Sequence, residues 1–371
     1  MSKKILITGG AGFVGSHLAD ALLERGHEVR IYDNLTQQVH AEGSPAYLSP
    51  EVEFIHGDMR DAERLAAALS GIEIVFHLAA AVGVGQSMQE IARYMETNTQ
   101  GTANLLQALL AKPTVEKLLV ASSMSIYGEG QYRCDDCGNT GAQSRSQAQL
   151  IQGAWEIACD GCGSEMRPQA TREDKPADCN SFYALSKKDQ EEMCLLFGRT
   201  YGLPVTALRY FNIYGPRQAL TNPYTGVVAI FAARLRTQQP PLIYEDGLQM
   251  RDFVSIHDVV QANLLAMTPG VADGMALNIG SGVPITIREI ARTLAEAMGC
   301  DREPEISNRY RVGDIRHCFA EITEAKKQLG YGPQVDLREG MEELMEWLAS
   351  QQVKERANAA AAELQPSGVT V

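Results

Sequence analysis

No apolar run in this chain approaches the roughly 18 to 20 residues that a membrane span needs. Nor does its start carry a signal core: Met1 leads within a few residues into Ile5-Leu6-Ile7 and then glycines, without a small-residue cleavage site. The expected location is therefore the cytoplasm. Positive charge is in short supply as well, with 33 Lys and Arg against 46 Asp and Glu and a formal net charge of −13. That balance argues against nucleic acid or an anionic membrane as the main partner. No tandem repeat is present. What remains is a chain of 371 residues, 45% hydrophobic and 21% charged, the profile of a soluble globular protein with one large unit or two modest ones. A small-molecule enzyme fits it, and in a reducing compartment its eight cysteines read as thiols or metal ligands before disulfides.

Lys4 to Thr8 is a short β-branched run that ends in Gly9-Gly10-Ala11-Gly12-Phe13-Val14-Gly15, and Ser16 to Arg25 follows with apolar residues at helical spacing. Strand, glycine turn and helix in that order let backbone N–H groups and a helix N-terminus approach a pyrophosphate. Residues without a Cβ leave room, and the helix dipole favours anions. A second strand, Glu28 to Tyr32, ends in Asp33 and Asn34. At about twenty residues past the glycines a carboxylate binds the adenosine ribose hydroxyls and repels a 2′-phosphate. NAD is thereby favoured over NADP; the plainer reading of Asp33 is a turn or cap residue. More strands follow, Val52 to Ile55, Ile74 to Leu78, Leu118 to Ser122 and Val205 to Tyr210, with helical stretches at Ala62 to Leu69, Asn98 to Leu110 and Tyr183 to Tyr201. The alternation predicts an α/β fold: a doubly wound parallel sheet of Rossmann type, with ligands at the carboxyl ends of the strands. Asp58-Met59 and Leu78-Ala79-Ala80, just past two of those ends, are placed to meet the cofactor.

Ser122-Ser123 closes the fifth strand, and Tyr183 and Lys187, four residues apart, share one face of a downstream helix. A tyrosine with a free pKa of about 10 works as a base near neutrality only if its phenolate is stabilised, which an adjacent ammonium and a cationic nicotinamide do. Ser123 then hydrogen-bonds the reacting oxygen. Tyr-x-x-x-Lys alone is common on helix surfaces; the glycine turn and the strand-end serines give it weight.

Between the two halves of this site the sequence turns polar, rich in Gln and Gly, and carries Cys134-x-x-Cys137-Gly138 and Cys159-x-x-Cys162-Gly163. Two such knuckles about twenty residues apart match a four-thiolate structural zinc site. Two disulfides, a redox switch or free thiols are the alternatives. The stretch between the knuckles is barely basic, so a lid or rim beside the pocket is a better expectation than a nucleic-acid reader. The remaining cysteines have no partner spacing, and His17 and His77 read as packing residues.

These motifs, taken in order, resemble the extended short-chain dehydrogenase/reductase family, specifically its nucleotide-sugar epimerase/dehydratase members. The carriers are Thr8 to Gly15, Asp58, His77 to Ala80, Asn98-Thr99-Gln100-Gly101-Thr102, Ser122-Ser123, Tyr127-Gly128, Tyr183 to Lys187, Arg209 to Arg217, Arg251-Asp252-Phe253-Val254 and Arg311-Val312-Gly313-Asp314. The resemblance implies a tightly held NAD, with Asn98 and Tyr210 among its contacts, and a nucleoside-diphosphate sugar in a smaller lobe. Arg251 and Arg311 would hold the pyrophosphate, with surface or lobe-packing arginines as the plainer reading, Asn212 and Asp314 would assist, and Tyr244 would lie near the base, with a half-buried strand tyrosine a close alternative. Dehydratases and decarboxylases of the family carry a carboxyl group where Met124-Ser125 stand, so the resemblance implies 4-epimerisation. In it Tyr183 takes the C4 hydroxyl proton, hydride passes to NAD, the 4-keto sugar turns over, and hydride returns to the other face. Val82 stands where galactose-type epimerases carry a lysine, and Cys318 stands at the position that gates the sugar. Together with Asn222 to Val227, Tyr244 to Gln249 and the cysteine segment, these features resemble the dTDP-L-rhamnose 4-epimerase group, which interconverts dTDP-L-rhamnose and dTDP-6-deoxy-L-talose.

The expected organisation is an NAD-binding unit over 1–214 containing the insert at 129–179, a substrate lobe over 215–250 and 279–349, a return to the first unit over 251–278, and a disordered tail at 350–371. Relatives pair as homodimers through the helices at Asn98 and Tyr183. A net oxidoreductase, a 4,6-dehydratase and a non-enzymatic dinucleotide sensor are the competing readings.

Overall fold

The structure, a computed structural model, describes residues 2–40, 43–141, 144–219, 226–311 and 313–350. Residues 222–225 of the subgroup motif, Val312, and the tail from 351 onward lie outside the described residues. Seven parallel strands form the main sheet, in the order Met275–Ile279, Val205–Tyr210, Lys117–Ser123, Ile74–His77, Lys4–Thr8, Glu28–Asp33, Glu53–His56. Alternate side chains feed two separate cores, because successive residues of a strand point to opposite faces. Ile5, Ile7, Phe76, Leu119 and Leu208 pack with Leu18 and Leu22 of the Phe13–Glu24 helix on one face. Leu6, Val75, Leu118, Val120 and Ala207 pack with Leu65, Leu105 and Phe197 on the other. This is the doubly wound arrangement, and its strand order reverses between Lys4–Thr8 and Ile74–His77, where a crevice opens.

Two local features differ from the sequence expectation. Arg251 to Met267, expected as the strand and helix of a return to the first unit, forms both, but its strand lies outside the main sheet. Instead Met250–Ser255 pairs with Asn212–Tyr214, Pro284–Thr286 and His317–Cys318 in a small sheet of its own. The helix Ile256–Ala266 packs into the first core, and Met275–Ile279 supplies the edge strand. The expected helix from Asn98 begins earlier and is interrupted: Ile91–Tyr94 is α-helical, Met95–Gln100 forms a π turn, and Gly101–Leu109 resumes the α-helix. Such a turn displaces side chains from the regular helical face, and here it carries Asn98.

A third core, with Tyr214, Phe231, Leu235, Ile290, Leu294, Met341 and Leu344, lies under the helices Val227–Arg236, Ile287–Ala297 and Leu337–Ser350. Thr286 and Glu289 cap the second of these reciprocally. The cysteine segment has its own small core of Tyr132, Ile157 and Met166 beside Cys134 and Cys159. It leaves the main body at Gly128 and returns at Asp178, whose N–H donates to the carbonyl of Ile126 at 2.9 Å.

Candidate active site

A cleft of about 670 Å³ opens at the carboxyl ends of the strands. The glycine turn forms its floor. Gly9 sits at φ +71°, and a Cβ there would stand 2.8 Å from the backbone of Ala79; one on Gly15 would stand 2.5 Å from the Cα of Gly10. Gly12 caps the Phe13–Glu24 helix with no side-chain hydrogen bond to its first N–H groups, and Phe13, Val14 and Gly15 of that first turn line the cleft. Asp33 is buried at the end of its strand, its carboxylate accepting from the N–H groups of Ala11 (3.0 Å) and Leu35 (2.8 Å).

Along with the turn, the lining includes Phe13, Val14, Asp33, Asn34, Met59, Leu78, Ala79, Ala80, Val82, Ser123, Tyr183, Lys187, Tyr210, Asn212 and Val227. Ser123 Oγ accepts from the N–H (3.1 Å) and the hydroxyl (2.9 Å) of Ser125. Burial pushes the Tyr183 phenol up, and its hydrogen bond with Ser123 pulls it back. One turn along, Lys187 is buried and donates to the carbonyl of Ala121 at 2.8 Å; burial pulls its pKa down from 10.5 to about 7. Burial thus makes this ammonium a readier proton donor than an exposed lysine.

Behind this trio a buried chain of polar contacts fixes the strand end. Ser122 donates to Glu191 (2.6 Å), and Glu191 is gripped by Arg209 through two nitrogens (2.9 and 2.6 Å). Arg209 also donates to the Tyr127 hydroxyl (2.7 Å), which in turn donates to Asn278. His77 lies in a second network, between the hydroxyls of Thr8 and Thr102 at 2.8 Å each, and burial holds its pKa down to about 3. It is a neutral packing residue, as expected.

Two expected cofactor contacts lie just behind the wall. Asn98, aimed by the π turn, spends its amide on the N–H (2.7 Å) and carbonyl (3.0 Å) of Ala81 and on Ser186. It thereby fixes the Leu78–Ala81 stretch. Asp58 is forked by Arg60 and bonded by Asn34, which holds its carboxyl well below the usual range; its neighbours Gly57, Met59 and Arg60 line the cleft instead.

A model of the NAD dependent epimerase/dehydratase family matches residues 5–147 and 161–280. The chain is 36% identical over 354 residues to a dTDP-L-rhamnose 4-epimerase of Burkholderia thailandensis, covering 94% of this chain and 96% of that protein. It belongs to the NAD dependent epimerase/dehydratase family. Among solved structures, a Thermotoga maritima UDP-glucose 4-epimerase with UDP-glucose is similar at 33% identity and a TM-score of 0.77, over 93% of this chain and 98% of that one. A Thermus thermophilus UDP-glucose 4-epimerase in complex with NAD matches at 31% and 0.74, over 94% and 100%.

For this family member the cleft is chemically suited to NAD. It offers a glycine cradle that a Cβ would fill, a helix N-terminus without a side-chain cap, which suits a pyrophosphate, and the carboxylate of Asp33 in its wall. On the substrate side the expected residues are more scattered. Asn212 lines the cleft with its buried Oδ1 lacking a partner among the described residues. Val82 is 52% exposed at the mouth. The Arg311 guanidinium stacks 4.4 Å above the Tyr244 ring outside the cleft lining. Arg251 turns its guanidinium onto the carbonyls of Met250, Ile315 and Arg316 (2.9, 2.6 and 3.1 Å), and Asp314 is exposed on the surface. Cys318, expected at the sugar gate, is fully buried beside Thr171, and burial raises its thiol to about 12. It packs in the core and does not reach the cleft.

Gln218 lines the cleft unanticipated, buried, with its Oε1 lacking a partner among the described residues. Its only signal in the sequence is its place directly after Gly215-Pro216-Arg217. In the cysteine segment, the sulfurs of Cys134, Cys137, Cys159 and Cys162 lie within 4.8 Å of one another. The pairs Cys134–Cys162 and Cys137–Cys159 stand at 3.5 Å, well beyond the roughly 2.05 Å of a disulfide. The knuckles share one turn geometry: the N–H of Gly138 bonds the carbonyl of Cys134, that of Gly163 bonds Cys159, and both glycines have positive φ.

Proposed function

We propose that this protein epimerises C4 of a nucleoside-diphosphate sugar, with dTDP-L-rhamnose and dTDP-6-deoxy-L-talose as its pair. The observation that carries the reading is that Asp33 is the sole carboxylate among the described residues lining the cleft. It is tied to backbone at the ribose end. Dehydration needs a carboxyl acid and base at the sugar, and the strand end here offers serine, tyrosine and lysine. Bound NAD supplies reversible two-electron oxidation at C4. The chain's own groups then do the rest. Ser123 hydrogen-bonds the C4 oxygen, Tyr183 removes and returns its proton, and Lys187, in its ammonium form, steadies the phenolate. Asn98 and the Glu191–Arg209 chain hold these groups in place. The similarity to the Burkholderia thailandensis enzyme and the apolar Val82 at the cleft mouth support a deoxysugar.

Incubation of the purified protein with UDP- and dTDP-sugars, without added cofactor, should yield a C4 epimer by NMR. Stoichiometric release of NADH without an epimer would favour a net oxidoreductase and defeat the reading. Tyr183→Phe should abolish turnover while keeping bound NAD.

The four thiols are assigned to a structural zinc ion. Sulfurs at about 2.3 Å from one metal stand about 3.8 Å apart in a tetrahedron, close to the spacing found. A homodimer through the helices Gly101–Leu109 and Phe182–Tyr201 is supported by exposed Leu185 and Leu196 on the second of them; light scattering tests it.

A further inference from the structure

A buried cluster of charges joins the cysteine segment to the smaller lobe. Arg145, whose side chain is 2% exposed, reaches Glu245 at 2.8 Å and Glu129 at 3.7 Å, and donates to the carbonyl of Asp314 at 2.8 Å. Arg316 is wholly buried. It pairs with Glu156 of the cysteine segment and with Glu245 (3.0 Å) and Asp246 (2.7 Å) of the lobe, while its own N–H donates to Glu129. His317 closes the ring by contacting Glu156 at 2.9 Å. Burial works against the charge of Glu156, yet its bonds from His317 and Arg316 hold it down to about 2.

What this cluster grips is the part of the lobe that carries Tyr244 and Arg311. Glu245 and Asp246 directly follow Tyr244, and Asp314 to Arg316 follow Arg311; Tyr244 and Arg311 are the stacked pair. Tyr310 and Gly313 to Arg316 are touched from the cysteine segment and its return at four points: Arg145 on Asp314, Trp155 against Tyr310 at 6.4 Å, Asn180 on the carbonyl of Gly313 at 2.6 Å, and Glu156 on Arg316. Glu245 also sits at φ +52°, a conformation that a glutamate keeps only when held there.

We propose that Arg145 and Glu156 are positioning residues for nucleotide recognition: the cysteine segment acts as a strut that fixes the Tyr244–Arg311 pair through the buried charge cluster. The proposal rests on the nucleotide-sugar reading above, together with the family resemblance that would set Tyr244 and Arg311 beside the nucleotide. Charged groups far from the chemistry can govern affinity in this way because a ligand site displaced by about 1 Å loses much of its binding and reactivity.

The test uses the NAD-loaded full chain and titrates UDP and dTDP by calorimetry into wild type, Arg145→Met and Arg145→Lys. Arg145→Met should weaken binding of whichever diphosphate wild type takes by about tenfold or more, with NAD and zinc per chain unchanged. Arg145→Lys, which keeps the charge, should recover part of it. Binding unaltered by Arg145→Met overturns the proposal, and so does parallel loss of NAD and diphosphate, which marks a merely structural role. Wild type that binds neither diphosphate defeats the nucleotide-sugar reading, and the proposal falls with it. Should Arg145→Met fail to fold, Glu156→Gln, at the half-exposed rim of the cluster, is measured the same way and must show the same split.

Discussion

Replacing Lys187 by methionine separates the chemistry of this site from its stability. The lysine is buried with one hydrogen bond to Ala121, and its pKa falls from 10.5 to about 7. That fall corresponds to about 5 kcal/mol against keeping the ammonium charged. Unfolded chain binds more protons at this position than folded chain between the two values, so the wild-type contribution to stability rises with pH across that window. Below about pH 7 the full penalty is present. Methionine fills similar volume with no charge, and it removes both the penalty and the hydrogen bond, worth about 1.5–3 kcal/mol for a charged donor. Near pH 6 the Lys187→Met protein should therefore be as stable as wild type or more so. Its stability relative to wild type should fall by about 3 kcal/mol on going to pH 9. Urea unfolding of both proteins, cofactor-free, at the two pH values measures this. Turnover should meanwhile drop by about 100-fold or more, since a base without its stabilising cation loses most of its effect. An equal stability difference at both pH values would mean that Lys187 does not titrate near neutrality in the fold, and the burial account would be wrong.

Other substitutions probe the surroundings. Gly9→Ala places a Cβ 2.8 Å from the Ala79 backbone at φ +71°; bound NAD, released by denaturation and quantified by absorbance, should be lost or sharply reduced. Arg209→Met strands buried Glu191 and should cost about 3–5 kcal/mol in chemical unfolding, whereas Arg209→Met with Glu191→Leu should recover much of it. Cys134→Ser should lower zinc per chain by elemental analysis, and a protein that keeps full zinc would remove that metal from Cys134.

The parallel sheet was legible where β-branched runs end in turn residues, as at Lys4–Thr8 before Gly9 and Glu28–Asp33. Met275–Ile279 gives no such signal. Its sequence, Met-Ala-Leu-Asn-Ile, has one β-branched residue and a buried asparagine that is there to hold Tyr127. Ser123, Tyr183 and Lys187 could be picked out because the chemistry demands those residue types beside a glycine turn. The supports behind them could not. Asn98 meets Ala81 through a π turn that has no sequence period, and Glu191 meets Ser122 across 69 residues of chain. Cys318 shows the limit of positional resemblance: its place in a motif says where the backbone runs, while its immediate packing against Thr171 decides whether the thiol sees the cleft.

The two ends of the cysteine segment meet, since the Asp178 N–H bonds the carbonyl of Ile126 and Gly128 turns at φ +62° tight against Asp178. A loop pinched shut at its base can lengthen at little entropic cost, because closure depends only weakly on the number of residues enclosed. Ser123 upstream and Tyr183 downstream are registered to each other by the neck rather than by what hangs from it. Selection is thereby free to rework the whole appendage, cysteines included, as a tuning device on the far lobe, without disturbing the alignment of the reacting groups.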